Sequence, residues 1–385
     1  MAVESCRLLL RKLTATTLTP RRYRVKAKWA ASHPKHPPTQ LALQHFDKTL
    51  SAQLGRLWPS VRVALLTEKK YGALLNNFSD PSVLKDLREQ GCIDFISRED
   101  EETTSEEEHA DVSQSKADDQ PSLPFQLSTN ISCLVFPRGD VTRFRPARPD
   151  TCGLLGYYLM DAASLLPCLA LNVQEGHMVL DLCAAPGGKS LALLQTQCVR
   201  FLCLNDSSVS RTLRLKKVLH SYVPTELLSK EKLRVTSFDG TNWGEIENNT
   251  FDRVLVDVPC TTDRHSLEED DNNIFSKSRV GERRGLPKLQ VELLLAGIEA
   301  AVPGGEIVYS TCSLSQSQNQ CVVEQAVHIA QEHGIQLQVV DLRPLRKRFE
   351  NIFHFDPDLP LGEMVIPHLA ANFGPIYMCK LKRLV

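Results

Sequence analysis

Twelve cysteines are spread over the 385 residues, yet no two of them stand in a C-x-x-C pair. That lack excludes the common zinc frameworks and argues against a disulfide scaffold, since scattered free thiols are normally reduced and buried. Excess charge is lacking too: 45 Lys and Arg face 46 Asp and Glu, for a formal net charge of -1. No global basic field advertises nucleic acid, so any such contact has to be local. No apolar run is long enough to span a membrane. The hydrophobic share of 42% is ordinary for a globular chain, and the length allows one large core or two modest ones.

Against these absences, residues 179–190, VLDLCAAPGGKS, are the most informative stretch. Val179, Leu180 and Leu182 form a short apolar run around Asp181. Pro186, Gly187 and Gly188 then turn the chain into a leucine-rich helical pattern from Ser190. Such a turn leaves bare N–H groups at a helix N-terminus, and its glycines let a ligand approach closely. A phosphate-binding P-loop would need glycine where Cys183 stands, and the dinucleotide pattern G-x-G-x-x-G is absent. An ordinary strand-to-helix turn is the plain alternative, and the later motifs weigh against it.

From Ser5 to Phe46 there is no acidic residue, whereas Arg7, Arg11, Lys12, Arg21, Arg22, Arg24, Lys26 and Lys28 are basic. Leu8, Leu9, Leu10 and Leu13 offer an apolar helix face. This composition predicts a mitochondrial transit peptide over residues 1–25, with a basic nucleic-acid-binding arm as the alternative. Helical periodicity across 40–96 predicts a small helical extension, taken as 26–96. Residues 97–122 are densely acidic, with too few apolar side chains to offset the entropy cost of ordering, and read as a flexible linker or loop.

A strand over 131–136 is followed by Arg138, Arg143, Arg145 and Arg148 around Phe144, a strip suited to phosphate and base contacts or to a solvated loop. Residues 157–166 read as a helix. Strand and helix patterns then alternate, with strands at 179–183, 201–205, 233–237, 253–258, 306–310, 336–340 and 375–381. Helical patterns at 190–195, 209–220, 288–301 and 319–332 fall between them. The alternation predicts an α/β fold built on a doubly wound, mostly parallel sheet of seven strands.

Ligands of such sheets bind at the carboxyl ends of the strands. Asp206 follows the second strand, where a carboxylate can accept both ribose hydroxyls. Asp239 follows the third, suitably placed for an adenine amino group, and Asp257 follows the fourth. One such acid is commonly only a helix cap; three in register are harder to explain that way. The fourth strand runs into Pro259-Cys260 and the fifth into Thr311-Cys312-Ser313. If those strands are neighbours, both thiols enter one cleft, where they suit covalent chemistry on an electron-poor ring. Burial is the alternative for either cysteine alone.

DLCAAPGGK at 181–189, DVPC at 257–260 and STCS at 310–313, in that order, resemble the motifs of S-adenosylmethionine-dependent RNA cytosine-C5 methyltransferases of the Nop/Sun type. The resemblance runs from about Gly139 to the C-terminus. DVPCTTDRHSL at 257–267 and NFGP at 372–375 are most similar to family members acting on mitochondrial small-subunit rRNA. One departure is Met160, where the family often has Gln before the equivalent of Asp161, so no side-chain amide is available there.

The resemblance implies a Rossmann-like class I methyltransferase domain over 123–385, with an antiparallel last strand and S-adenosyl-L-methionine as cofactor. It makes Cys312 the nucleophile that adds to cytosine C6, with Cys260 assisting adduct release. Asp257 would hydrogen-bond the base near N3 and N4, and Lys189 would assist there or hold the methionine carboxylate. Gly187, Gly188, Lys189, Asp206, Arg211, Asp239, Gly240 and Asp257 would surround the cofactor, and no metal is implied. DNA cytosine methyltransferases differ, since their nucleophile belongs to the Pro-Cys motif, here Cys260.

A thiol reaches C6 only of an unstacked base, which favours single-stranded or loop RNA. The basic stretch 276–288, read as a loop with Lys277, Arg279, Arg283, Arg284 and Lys288, flanks the expected cleft. A second cluster is Arg343, Arg346, Lys347 and Arg348. Both are expected to face RNA phosphates. The resemblance further implies rRNA of the mitochondrial small subunit as substrate, a matrix location, a role in ribosome assembly and no membrane. It also implies a helical-repeat partner of the mitochondrial transcription-termination-factor family. Mitochondrial tRNA as substrate, and an assembly factor whose catalysis is dispensable, are the alternatives.

Overall fold

The computed structural model describes residues 36–97 and 130–385. The expected transit peptide, and the acidic stretch beyond Ser97, lie outside the described residues. Helix α1 (Pro38–Leu54) buries Ala42, Phe46 and Leu50, one stripe at four-residue spacing. Together with Trp58, Val61 and Leu65 of α2 (Trp58–Leu65) this stripe joins the apolar cluster on one face of the main sheet.

The helical expectation for 40–96 holds for α1, α2 and α3 (Ser82–Glu89) but fails between them. Leu74 and Leu75 belong to β1 (Gly72–Leu75), a run buried at all four positions. Periodicity cannot separate so short an apolar run from a buried helix. With β2 (Ile93–Asp94), β3 (Cys133–Val135) and β4 (Tyr157–Met160), β1 forms an antiparallel sheet ordered β2-β3-β1-β4. The helix expected over 157–166 is therefore corrected. Tyr157 to Met160 pair with Leu75 to Gly72, as suits an aromatic-rich segment. Asp161, in an extended conformation, accepts Ala163 N at 2.9 Å and opens a 3₁₀ turn that leads into α4 (Leu166–Leu171).

The remaining chain alternates as its sequence predicts. It runs through β5 (Met178–Asp181), α5 (Gly188–Gln195), β6 (Phe201–Asn205), α6 (Val209–Tyr222), β7 (Leu233–Thr236), α7 (Trp243–Ile246) and β8 (Phe251–Asp257). Then come α8 (Asp263–Glu268), α9 (Val280–Ala300), β9 (Ala301–Thr311), α10 (Gln320–Glu332), β10 (Leu337–Val340), α11 (Arg343–Phe349), β11 (Glu363–Val365) and β12 (Ile376–Arg383). The strand order is β10-β12-β9-β8-β5-β6-β7, with β11 paired to β12 off that path. Strands β5 to β9 pair in parallel, and β12 runs antiparallel to both β9 and β10.

Successive residues of these strands go to opposite clusters: Val179, Leu255 and Val308 to one face, Leu180, Val254, Val256, Ile307 and Tyr309 to the other. Both faces are covered, so the strands read as nearly unbroken apolar runs. Each fully buried aliphatic side chain contributes roughly 1.5–3 kcal/mol. Residues 276–288, expected to be a loop, are instead a 3₁₀ turn followed by the first turns of α9. Gly281, Gly285 and Pro287 disguise that helix in the sequence. Burial of Leu286, Gln290 and Val291 outweighs their low propensity.

Candidate active site

The parallel register aligns the carboxyl ends of the central strands. Asp181 lies opposite Leu204 and Leu255, and Asp257 lies opposite Ser310. Extending β8 and β9 by a few residues delivers Cys260 and Cys312 to the same place. Their sulfurs are 3.2 Å apart. Asp257 is held through both oxygens: Lys189 Nζ donates to Oδ2 at 2.9 Å and Ser310 Oγ to Oδ1 at 2.8 Å. Burial alone would lower the Lys189 pKa, but the adjacent Asp257 charge outweighs it and raises it, so the ammonium is secure. The hydrogen bond to Cys260, together with burial and the nearby Asp257 charge, pushes the Cys312 thiol well above its ordinary range.

The glycine turn packs closely against its neighbours. Gly187 has φ +119°, and a Cβ there would come within 2.8 Å of Leu215 Cδ1. A Cβ on Gly188 would sit 3.0 Å from Tyr158 Cε1. Beneath the turn, Ser190 Oγ donates to Asp181 Oδ2 at 2.7 Å. Burial, only partly offset by that bond, lifts Asp181 to about 7. A cavity beside the turn is lined by Tyr158, Asp181, Pro186, Gly188, Lys189 and Asp257.

Asp206 is buried at the end of β6, and its Oδ1 accepts Ser208 N at 3.0 Å. Arg211 Nη1 stands 3.2 Å from Oδ2 but off hydrogen-bonding geometry, because its guanidinium is directed to the Ala185 carbonyl. Oδ2 is thus a buried acceptor with no hydrogen-bond donor. That orphaned oxygen and the glycine cradle fit a nucleoside cofactor with a ribose diol. Asp239 differs from its two companions. It is exposed, and it accepts Thr241 N at 3.1 Å and Thr241 Oγ1 at 2.8 Å, which is the capping arrangement the sequence left open. Gly240 is buried against Leu293.

The basic clusters are partly committed. Arg279 pairs with Glu282, and Arg283 stacks on Phe275 at 4.6 Å while donating to the Ile274 carbonyl. Lys277 and Arg284 remain exposed, and Lys288, also exposed, lies 3.6 Å from Glu292. On α11, Arg343 pairs with Asp341, Arg346 lies 3.7 Å from Glu363 and Arg348 donates to Ile96 O, while Lys347 is exposed. In the earlier strip Arg143 pairs with Glu68, and Arg138, Arg145 and Arg148 are exposed.

Sequence reasoning passed over Ser190, Ser310, Tyr158 and Asp263. Ser310 had a usable signal, since it precedes the STCS cysteine on a strand expected beside the one ending in Asp257. Arg264 anchors the turn after Cys260. It donates to Gly374 O at 2.9 Å, to Asn372 Oδ1 at 2.8 Å and to the carbonyls of Ala64 and Thr67 at 3.3 Å.

A parallel sheet with this strand order, a glycine turn after its first parallel strand and acids at successive strand ends define a Rossmann-like methyltransferase. Residues 168–381 match the family described as 16S rRNA methyltransferase RsmB/F, and the chain belongs to that family of RNA methyltransferases. It is 54% identical to the 5-cytosine rRNA methyltransferase NSUN4 of Bos taurus, over 100% of this chain and 99% of that protein. Its identity to the Mus musculus protein of the same name is 55%, over 99% of both chains. The mitochondrial tRNA (cytosine(34)-C(5))-methyltransferase of Danio rerio is 39% identical over 92% of this chain and 91% of its own length. The solved structure of NSun6 from Pyrococcus horikoshii with SFG shares the fold. Its TM-score is 0.58 at 14% identity, over 90% of this chain and 98% of that one.

Proposed function

We propose that the enzyme methylates C5 of a cytosine in mitochondrial small-subunit rRNA through a covalent bond between Cys312 and C6. The observation that carries this reading is the pair of sulfurs 3.2 Å apart beside the Lys189–Asp257 pair, at the strand ends next to the glycine cradle. Relatives more than half identical over nearly the whole chain bear the name of rRNA 5-cytosine methyltransferases, which supports the substrate class. The basic composition of residues 1–25, read as a transit peptide, and the mitochondrial tRNA-modifying relatives support a matrix location.

Gly187 and Gly188, which line the cavity, would border S-adenosylmethionine together with Arg211, Asp239 and Gly240, and Asp206 Oδ2 would accept from its ribose. When bound, that cofactor supplies an electrophilic methyl group. As its proton passes by way of the Asp257 carboxylate to N3 of the base, Cys312 Sγ attacks C6, and the electron pair displaced from the C5–C6 double bond makes C5 nucleophilic. Asp257, fixed by Lys189 and Ser310, hydrogen-bonds the base near N4, and the Lys189 ammonium offsets charge growing on the ring. After methylation Cys260, deprotonated, takes the C5 proton, the double bond re-forms, and the S–C6 pair returns to Cys312, which recovers its proton from N3. Exposed Lys277, Arg284, Lys288 and Lys347 contact phosphates near the cleft.

Peptide mapping of the enzyme trapped on 5-fluorocytosine RNA tests the assignment; a fluoropyrimidine attached to Cys260 would overturn it. Methylation of mitochondrial tRNA is the second reading, favoured by the 39% identical relative. Bisulfite sequencing after depletion separates the two. A helical-repeat partner of the transcription-termination-factor family would supply RNA selectivity and link the enzyme to ribosome assembly. A fully sequence-selective isolated monomer would refute that.

A further inference from the structure

Between the two thiol-bearing turns lies a buried polar knot that the reaction as described does not use. Asp263 is 1% exposed. Its carboxylate accepts Thr261 Oγ1 at 2.5 Å from the Cys260 side, and Leu314 N at 2.7 Å and Ser313 Oγ at 3.1 Å from the Cys312 side. Its own N–H donates to the Cys312 carbonyl at 3.3 Å. Gln318 reinforces the joint: its Oε1 accepts Thr261 N at 3.1 Å, and its Nε2 donates to Thr261 Oγ1 and Ser313 Oγ. Among the described residues no Lys or Arg pairs with Asp263. A buried carboxylate served only by neutral donors is a costly way to close a loop, and such groups persist where geometry is over-determined.

The strain beside it points the same way. Thr262 is β-branched yet has φ 44° and ψ 62°, a conformation left to glycine or asparagine in most turns. That twist directs Thr262 N at Cys260 Sγ, 3.4 Å away. Asp263, held to the opposite turn, fixes the residue immediately after the twist.

We propose that Asp263 is a positioning residue that clasps the Cys260 turn to the Cys312 turn, keeping Cys260 in place to release the methylated base. This rests on the two-thiol reading given above. Loosening the clasp moves Cys260 without removing Cys312, so adduct forms and resolves slowly. Slow resolution is a signature that general loss of fold does not produce.

The test compares Asp263→Asn, Asp263→Ala and Thr261→Val with Cys260→Ala, in the full chain with S-adenosylmethionine and a transcript of mitochondrial small-subunit rRNA containing ordinary cytosine. The expected result is covalent protein–RNA complex at least about fivefold above wild type in the Asp263 variants, and a smaller rise in Thr261→Val, with cofactor affinity unchanged. If Cys260→Ala accumulates complex and the others lose product without it, the clasp is refuted while the two-thiol reading stands. If Cys260→Ala accumulates none, both fall. Should the Asp263 variants fail to fold, Thr261→Val and Ser313→Ala decide by the same ratio of complex to product.

Discussion

The two halves of the sheet's carboxyl edge are built in opposite ways. On the side of β5 and β6, backbone and absent side chains shape the site: Gly187 and Gly188 line the cavity, and Asp206 keeps a buried oxygen without a hydrogen-bond donor. On the side of β8 and β9 the polar groups are already paired, with Asp257 bonded through both oxygens and the two thiols joined by the Asp263 knot. One half keeps an acceptor unpaired, as the proposed cofactor site requires. The other is preorganised, which suits the charge stabilisation proposed for it.

This contrast is open to direct attack. Cys312→Ala should abolish capture of 5-fluorocytosine RNA and cut methylation by at least about 10³-fold, as loss of a nucleophile does, with cofactor affinity intact. Capture that survives would break the division between the halves. Lys189→Met should lower kcat by about 10²–10³, the scale for losing a preorganised charge, and leave KM for RNA nearly unchanged. A change confined to KM would move Lys189 to the ligand-accepting half. Asp206→Ala should instead weaken cofactor binding by about 1.5–3 kcal/mol, measured by calorimetry, while kcat at saturation is largely kept.

The smallest effects concern stability and pH. Gly187→Ala should cost about 1–3 kcal/mol in thermal unfolding, from positive φ and the collision with Leu215. Asp181 has its folded pKa raised to about 7 by burial, so its neutral form favours folding at low pH and that benefit is lost as pH rises through 7. Asp181→Asn should therefore stabilise the protein at pH 8 by at least about 1 kcal/mol, since a tenfold change in ionisation is about 1.4 kcal/mol, and hardly at pH 4. Equal effects at both pH values would show that Asp181 is not strained by its burial.

What the sequence disclosed follows the same division. Strand ends, the glycine turn and the adjacency of the thiols were legible because parallel pairing turns local patterns into fixed positions. Residues 157–166 and 276–288 were misread because their structure depends on partners far away, β1 for the first and the apolar cluster around Leu286 and Val291 for the second. Asp239 illustrates a third limit. Its place after a strand was readable, but whether its oxygens were free or spent on Thr241 was not. Asp263 was invisible for a related reason, as two of its donors, Ser313 Oγ and Leu314 N, lie about fifty residues further along the chain.

Strand β12 fills the gap between β9 and β10, although it follows both in the chain. During synthesis those two strands are therefore edges, with unpaired N–H and C=O groups, until residues 376–383 emerge. The brace from Arg264 to Asn372 and Gly374 waits for the same moment. Strands β5, β6 and β7, which pair across shorter connections, can form earlier. A ribosome making this protein thus completes the sheet beside the Cys312 turn last, and in the interval the exposed edge of β9 is where a chaperone or a stray strand would attach.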